Sequence, residues 1–426
     1  MATPLPIFVM ILRLFALFTR RLPAPSEARA FRAGWPVRLA ALLCLPVLLT
    51  ACGGGGDKAS PPPQVTAIPG DTQVTLTWDA EQGVDYWIFL APDPSISTQN
   101  FVSVPGARVI RNTTSPFVVS GLTNGTTYYF TINGRRDNGP GGSGSPLVAA
   151  TPRAAGGTWT VGAPLTSANL NAVTFGLNAG FVTVGAGGQI FSSFNTATWT
   201  AQTSGVTTDL NGVANVNGVY VAVGNGGVTL RSADAVTWTS VVAGTQNLYG
   251  IVQTGTAYVA VGAAGTIITS GDATAWTLRN SGTAADLRGG AFGNGTYVVV
   301  GDNGTVLTST DLVTWTRQSS GTSANLRAVT YGGGRFVAVG DQGTIITSTD
   351  AINWTLAVNP TSETLNAVVA GSQFVAVGAN GRIVVSADGL SWTPVTSGTT
   401  ATLLGLASGG TSYVAVGTAG TNLASY

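Results

Sequence analysis

Residues 326–354 read LRAVTYGGGRFVAVGDQGTIITSTDAINW, and this stretch decides the fold. It contains three runs rich in β-branched and aromatic residues, LRAVTY, RFVAVG and GTIITS, and a fourth run begins at its final tryptophan. Glycines and short polar segments separate the runs, as is typical of short strands joined by tight turns. The stretch therefore predicts four antiparallel strands, named a, b, c and d in chain order.

The same pattern occurs seven times between residue 158 and the end of the chain. Strand a begins at a leucine, which we place at 170, 210, 248, 287, 326, 365 and 404; strand b ends at glycines 185, 224, 262, 301, 340, 378 and 417, each followed by a second glycine three residues later. Tryptophans at 199, 238, 276, 315, 354 and 392 are 38 or 39 residues apart. A four-stranded repeat of this length is typical of a β-propeller blade, so we predict seven blades over residues 154–426.

The two ends of the repeat region predict how the ring closes. Thr158-Trp159-Thr160 matches strand d but precedes the first strand a, and the last repeat stops at Tyr426 before any strand d. We therefore expect the Trp159 strand to complete the seventh blade, which would remove the open edges of the array.

Most of the repeats carry the pattern Ser-x-Asp-x-x-x-Trp between strands c and d. Its aspartates are Asp234, Asp272, Asp311, Asp350 and Asp388, and Asn195 stands in the first repeat. The pattern resembles the Asp-box of BNR-repeat propellers. Asp and Ser side chains bind turn backbone readily, and identical residues spread around a ring cannot converge on one substrate, so we interpret these aspartates as structural.

Residues 64–153 form a separate predicted module. Its runs QVTLTW (73–78), DYWIFLA (85–91), PFVVSGL (116–122), TYYFTINGR (127–135) and PLVAAT (146–151) predict a β-sandwich. Trp78 and the segment Leu122–Phe130 make the module similar to a fibronectin type III domain. That resemblance implies that Tyr128 is the tyrosine of the corner that ties a strand entry to the upstream backbone. The whole chain is therefore expected to be all-β.

The N-terminus is typical of a targeting segment, assigned here to residues 1–51. Arg38 precedes an apolar run that ends at Leu49-Thr50-Ala51-Cys52. These four residues resemble the lipobox of bacterial lipoproteins, which implies a lipid anchor on Cys52 and residence in the cell envelope. Gly53 after that cysteine favours the outer membrane, at its periplasmic or surface face. Residues 52–63 are rich in glycine and proline and predict a tether.

Composition excludes several classes of function. The 426 residues include no histidine, which excludes Ser-His-Asp catalysis and histidine-ligated zinc. Cys44 and Cys52 are the two cysteines, so we expect no metal site and no cofactor. Without the six arginines and the glutamate that precede Cys52, 13 basic and 17 acidic residues remain, a net charge of −4. This balance argues against nucleic-acid binding.

The repeat pattern also bears on function. It is similar to that of the photosystem II assembly-factor propellers, which implies a non-enzymatic protein binder. We predict that this propeller binds a protein or glycan partner, and we expect a monomer. The alternatives are a sialidase-like, carbohydrate-active hydrolase and a purely structural envelope protein. Hydrolysis would need a pair of opposed carboxylates, and the sequence distinguishes no such pair, so no catalytic residue is assigned.

A ligand site, if there is one, is expected on the face that carries the b–c turns and d–a loops. On this face, the residue after the strand-a leucine differs from one repeat to another, and two of the b–c turns carry an aspartate. The candidate rim residues are Tyr249, Arg288, Asp302, Arg327 and Asp341. Arginine and aspartate offer bidentate hydrogen bonds, and tyrosine offers an aromatic platform. Arg–Asp pairing between blades on a solvated surface is the alternative interpretation.

Overall fold

The computed structural model describes residues 58–136, 139–253 and 257–426. The predicted targeting segment 1–51, the Cys52 anchor and the first half of the tether lie outside the described residues. At the other end of the tether, Ala59 is buried, and a Cβ on Gly134 would lie 2.9 Å from the Ala59 Cβ. The last tether residues are thus packed against the sandwich rather than separate from it, because Gly134 leaves room for them.

Residues 66–150 form two facing sheets. Their strands are β1 (Thr66–Gly70), β2 (Gln73–Thr77), β3 (Asp85–Ala91), β4 (Arg108–Thr113), β5 (Phe117–Ser120), β6 (Tyr128–Arg135) and β7 (Val148–Ala150). The strand orders are β1-β2-β5 and β4-β3-β6-β7, and all pairs are antiparallel. Alternate side chains of both sheets meet in one core that includes Leu76, Ile88, Phe130 and Ile132.

The repeat region begins with β8 (Thr160–Val161) and continues with strands that we group into sheets 1 to 7. Sheet 1 contains β9 (Leu170–Gly176), β10 (Gly180–Gly185), β11 (Ile190–Ser193) and β12 (Thr200–Gln202). Sheet 2 contains β13 (Leu210–Val216), β14 (Val219–Gly224), β15 (Val228–Ser232) and β16 (Thr239–Val242). Sheet 3 contains β17 (Leu248–Gln253), β18 (Tyr258–Gly262), β19 (Ile267–Ser270) and β20 (Thr277–Arg279). Sheet 4 contains β21 (Leu287–Gly293), β22 (Thr296–Gly301), β23 (Thr305–Ser309) and β24 (Thr316–Gln318).

The remaining three sheets follow the same order. Sheet 5 contains β25 (Leu326–Gly332), β26 (Arg335–Gly340), β27 (Ile345–Ser348) and β28 (Thr355–Leu356). Sheet 6 contains β29 (Leu365–Ala370), β30 (Phe374–Gly378), β31 (Ile383–Ser386) and β32 (Thr393–Val395). Sheet 7 contains β33 (Leu403–Ser408), β34 (Tyr413–Gly417) and β35 (Asn422–Ser425), and its fourth strand is β8.

Sheet 7 joins the two ends of the repeat region, as the Trp159 motif predicts. Leu423 pairs with Val161 and Ala424 pairs with Thr160, both antiparallel. The Gly156 backbone N–H donates to the Ser425 hydroxyl over 2.8 Å, and Trp159 is buried. Each strand a contacts strand a of the next sheet, and β33 contacts β9, so the series of sheets returns to its start.

The core of the repeat region lies between neighbouring sheets. One cluster joins Val298 and Val300 of sheet 4 to Val329, Phe336 and Ala338 of sheet 5, and equivalent clusters recur around the series. Strand b is buried on both faces, which explains why its FVAVG pattern is continuous rather than alternating. Among the described residues, the helices are single 3-10 turns, and none is long and apolar enough to cross a membrane.

Candidate functional site

The b–c turns and d–a loops lie together on one face, named here the b–c face. In every sheet, the first residue of the b–c turn donates its backbone N–H to the carbonyl of the residue before the strand-a leucine. The pairs are Ala186 with Asn169, Asn225 with Asp209, Ala263 with Asn247, Asp302 with Asp286, Asp341 with Asn325, Ala379 with Thr364, and Thr418 with Thr402, all at 2.9–3.0 Å. The predicted sharing of one face by these two sets of loops therefore matches the observed hydrogen bonds.

The two glycines of each b–c turn have different roles. Gly340 has extended backbone, and a Cβ there would lie 2.0 Å from the Asn325 carbonyl oxygen. Gly343 has a φ of +69°, a conformation that L side chains rarely adopt. The first glycine thus permits close approach of turn and loop, and only the second supplies the left-handed conformation expected of the turn.

Polar side chains on the b–c face link five pairs of neighbouring sheets. The residue before the strand-a leucine accepts a backbone N–H from the b–c turn of the preceding sheet. The acceptors are Asn169, Asp209, Asn247, Asp286 and Asn325, which bind the N–H groups of Ala419, Gly187, Gly226, Ala264 and Asn303. We name these five side chains the latch residues. Sequence reasoning missed them, although the recurrence of Asn or Asp at this position was the available signal.

The residue after the strand-a leucine lies in a β-bulge, where the register with strand b shifts by one residue. A bulge re-aims a side chain, and asparagine at this position donates across to the next sheet: Asn171 to the Leu210 carbonyl, Asn211 to Leu248 and Asn366 to Leu403, at 2.8–2.9 Å. In sheet 7, Leu403 pairs with Gly417. The leucine that begins this strand is therefore Leu403, not Leu404 as predicted, and Leu404 rather than Gly405 occupies the bulge.

Sheets 3, 4 and 5 place larger side chains at this position. Arg288 donates from Nε and Nη2 to the two carboxylate oxygens of Asp302, at 2.5 and 2.8 Å. Arg327 donates from Nε to Asp341 at 2.5 Å. The Arg288 guanidinium carbon lies 5.4 Å from the centroid of the Tyr249 ring. We name these five residues the polar arc.

Each Arg–Asp pair of the polar arc lies within one sheet. Asp302 follows strand b of the sheet whose strand a carries Arg288, and Asp341 and Arg327 have the same relationship. The Arg–Asp pairing considered as the alternative is therefore observed, but each pair lies within one sheet and not between blades. The contact between sheets is instead that of Arg288 with Tyr249.

The charges of the polar arc affect one another. The hydrogen bond from Arg288 to Asp302 raises the pKa of that arginine. Partial burial alone would raise the pKa of Asp341, but the hydrogen bond and charge of Arg327 outweigh burial and hold it below its usual value, with a smaller contribution from Arg288. Burial, and then the charge of Asp286, raise the pKa of Tyr249. Arg288 is therefore charged and Asp341 ionised at neutral pH.

The Asp-box residues lie at the c–d turns. In sheet 2, Asp234 Oδ1 accepts the backbone N–H groups of Val236 and Thr237 and the Ser232 hydroxyl, at 2.8–2.9 Å, and Trp238 Nε1 donates to the Ala235 carbonyl. Asp272, Asp311, Asp350 and Asp388 make the equivalent turn contacts. These backbone hydrogen bonds lower the pKa of Asp234 to about 2. The side chains are used within their own turns.

The described residues contain no cluster of three Cys, Asp or Glu side chains placed to hold a metal ion. Arg382 follows the b–c turn of sheet 6 and lines a separate surface cavity with Val395. A larger cavity of about 1020 Å³ lies beside strand d of sheets 2 and 3 and is lined by Val242, Trp276 and Leu278. Neither cavity includes a polar-arc residue.

No family model and no curated protein matches this chain. Among solved structures, the chain is similar to "YCF48 bound to D1 peptide", with a TM-score of 0.53 and 16% identity over 63% of this chain and 94% of that one. YCF48 from Cyanidioschyzon merolae gives 0.52 and 16%, over 63% and 98%. The WD40 propeller domain of Doa1 gives 0.52 and 11%, over 63% and 97%. The chain contains a β-propeller. At these identities, the likeness shows the fold alone.

Proposed function

We propose that this chain is a non-catalytic lipoprotein of the cell envelope whose propeller binds a protein partner through the polar arc. The observation that carries the proposal is the continuity of Tyr249, Arg288 and Arg327, with their aspartates, across three successive sheets of one face. Sheets 1, 2 and 6 fill the same bulge with asparagines that bond to the neighbouring sheet. Where asparagine makes a hydrogen bond to the next sheet, the polar arc instead has half-buried charged and aromatic side chains.

Protein is the partner class that the arc favours. Aromatic and arginine side chains are enriched at protein interfaces, where they supply contact area and directional hydrogen bonds. The side chains of Arg288 and Asp302 are 30% and 22% exposed, so both are held in place but accessible. YCF48 has been solved with a D1 peptide, and a chain of similar fold belongs to a mitotic checkpoint complex. These similarities are consistent with protein binding and do not identify the partner.

A non-catalytic role fits the pairing of the charged groups. The arginines of the arc are neutralised by their own aspartates, and the Asp-box carboxylates accept hydrogen bonds from their own turns. Neither set has the free, opposed carboxylates that glycoside hydrolysis uses. Among the described residues, these two sets of carboxylates therefore give no support to the alternative of a glycan hydrolase.

We infer the finer architecture from the strand orders. Seven four-stranded sheets with contacts that return from β33 to β9 support a seven-bladed ring. The sheet orders of residues 66–150 support a fibronectin type III domain. Two contacts add to this: Trp78 packs edge-on against Tyr86 at 5.5 Å, and the Tyr128 hydroxyl accepts the Thr123 N–H at 3.3 Å, a contact that supports the proposed tyrosine corner. We propose that this module spaces the propeller from the membrane.

In-cell cross-linking tests the proposed function. A photo-activatable amino acid at position 249 should cross-link one specific envelope protein in intact cells. The same amino acid at Thr274, on the opposite face in a c–d turn, serves as the control. A shared adduct pattern, or no adduct at 249, would contradict binding at the arc.

A further inference from the structure

On the face opposite the b–c face, a cavity of about 680 Å³ lies among residues at the ends of strands a and in the a–b turns of sheets 2, 4, 5, 6 and 7. Phe292 and Tyr331 line one side, and Ala370 and Ser408 line another. Its volume is within the usual range of small-molecule sites, and it contains none of the polar-arc residues.

The cavity results from an irregular ring of side chains. The fifth residue after the strand-a leucine packs over a glycine of the preceding sheet, which has no Cβ to block it. The pairs are Tyr331 over Gly293, Ala370 over Gly332, Ser408 over Gly371, Phe175 over Gly409 and Asn215 over Gly176. Small side chains follow Tyr331 in this ring, so the space that an aromatic ring would fill at Ala370 and Ser408 stays open.

Each aromatic ring at the cavity packs against a second aromatic ring of its own sheet. Phe292 packs on Tyr297 at 4.4 Å between centroids, and Tyr331 packs on Phe336 at 4.6 Å. Phe292 is nevertheless 38% exposed. Its free side therefore forms a fixed apolar platform at the cavity.

The polar groups at the cavity are neutral. None of the described residues that line it is charged, and they include the Thr330 and Ser408 side chains. Strand a is the first strand of its sheet, so one of its edges has no strand partner and presents backbone donors and acceptors. Of these, the Ala370 N–H donates to the Thr330 hydroxyl at 3.3 Å. Neutral hydrogen-bonding groups beside supported aromatic faces suit a pyranose ring, which has apolar C–H faces and a polar rim of hydroxyls.

We propose that this cavity is a binding site for a neutral saccharide, held by stacking on Phe292 and Tyr331. An ionic sugar is disfavoured because no opposite charge lies at the cavity to offset its desolvation. With few enclosing walls, the affinity should be weak, with a Kd on the order of 1 mM. The site is independent of the polar arc and of the protein partner proposed for it.

Saturation-transfer NMR on the full mature chain tests this site. Chitobiose, cellobiose and maltose are the neutral probes, and sialyllactose is the ionic control, each at about 10 mM so that a weak site is occupied. At least one neutral disaccharide should show transfer, and the double variant Phe292→Leu/Tyr331→Leu should weaken its binding about tenfold by removing two stacking faces while retaining apolar volume.

Two further variants keep the result interpretable. Phe292→Tyr/Tyr331→Phe retains both rings and should bind as the parent does. Phe175→Leu changes the same ring position in sheet 1, outside the cavity, and should also leave binding unchanged. Absence of transfer from all neutral probes would overturn the proposal, as would equal loss of binding in the Phe175→Leu control or transfer from sialyllactose alone.

Discussion

Arg288 binds both carboxylate oxygens of Asp302, and the same two positions in sheet 2 hold Asn211 and Asn225, whose amide groups bond to each other at 2.9 Å. The propeller therefore contains a neutral version of its own charged pair. Asn211 also donates to the next sheet, to the Leu248 carbonyl. We therefore expect that the charges of the polar arc can be removed without unfolding the propeller, so that their effect on binding can be measured separately.

The first prediction concerns stability at the arc. Arg288→Asn/Asp302→Asn should change the free energy of unfolding by no more than about 0.5 kcal/mol, because an asparagine pair already fits this site and partly exposed ion pairs contribute little. Arg288→Ala should cost more, about 1–2 kcal/mol, since it leaves the Asp302 carboxylate half-buried beside Asp286 without its partner. Urea unfolding measures both values. Equal costs for the two variants would contradict the neutral-pair account.

The second prediction concerns a latch residue. Asn325 accepts the Asn303 backbone N–H at 2.9 Å and donates to Asp341 at 2.9 Å. Asn325→Ala should lower the free energy of unfolding by about 1–2 kcal/mol because it removes hydrogen bonds between and within sheets. Asn325→Asp, which matches Asp286 at the equivalent position, retains the acceptor and should cost less. Chemical denaturation checks the order of the two.

The third prediction concerns acid. Hydrogen bonds from the turn backbone, together with Ser232 and Ser309, hold the pKa values of Asp234 and Asp311 at about 2, below the ordinary value of 3.8. A lowered pKa in the folded state stabilises the protein above the unfolded-state value, and this stabilisation is lost as pH falls through the folded-state value. The Tm should therefore be constant above pH 5 and fall between about pH 4 and pH 2.

Asparagine substitution provides the control for the acid prediction. Asn195 makes the equivalent turn contacts in sheet 1, to the N–H groups of Ala197 and Thr198. Asp234→Asn/Asp311→Asn should therefore fold and show a shallower loss of Tm between pH 4 and pH 2. Parallel pH profiles of variant and parent would exclude these carboxylates as the cause.

The fourth prediction concerns ring closure. Deletion of residues 154–165 removes β8 and Trp159 and exposes the edge of β35. Loss of a buried tryptophan costs about 3–5 kcal/mol, so the Tm should fall by about 10 °C or more. Deletion of residues 64–153 is the matched control and should leave the propeller transition near its original temperature. A propeller that melts unchanged without residues 154–165 would contradict closure by this strand.

Much of the fold follows from repetition in the sequence. Seven copies of one pattern make its period visible, and five strands of the sandwich match runs of alternating residues. No alternating run in the sequence predicted β1 or β4. Pro69 interrupts the first of these edge strands, and Arg108, Arg111 and Asn112 leave the second with few apolar residues. Edge strands bury little surface, so their sequences carry a weak signal.

The candidate site was predicted only in part. Departures from the repeat identified Arg288, Asp302, Arg327 and Asp341, but spacing could not tell whether each pair joins one sheet or two. The β-bulge after the leucine determines which aspartate the arginine reaches, and no residue type in the sequence predicts that bulge. In sheet 7, the tandem Leu403-Leu404 left the register ambiguous by one residue. The cavity at Phe292 was not foreseen because it depends on which neighbours are small.

The fifth prediction concerns the membrane anchor, which lies outside the described residues. If Cys52 carries lipid, Cys52→Ser should move the protein from the detergent phase to the aqueous phase on phase partitioning, or leave an unprocessed precursor, because two acyl chains provide stable anchoring. Cys44→Ser, within the predicted targeting segment, should have no effect. Unchanged partitioning of Cys52→Ser would exclude lipid anchoring at this residue.

Binding at the polar arc is the central claim, and one affinity comparison tests it most directly. The partner cross-linked at position 249 is purified and titrated against the parent and against Arg288→Asn/Asp302→Asn/Arg327→Asn/Asp341→Asn, with Arg335→Asn as the control on the opposite side of sheet 5. We predict that the fourfold variant keeps its Tm and binds at least about thirtyfold more weakly, corresponding to about 2 kcal/mol, whereas Arg335→Asn binds as the parent does. Parental affinity in the fourfold variant would contradict the account.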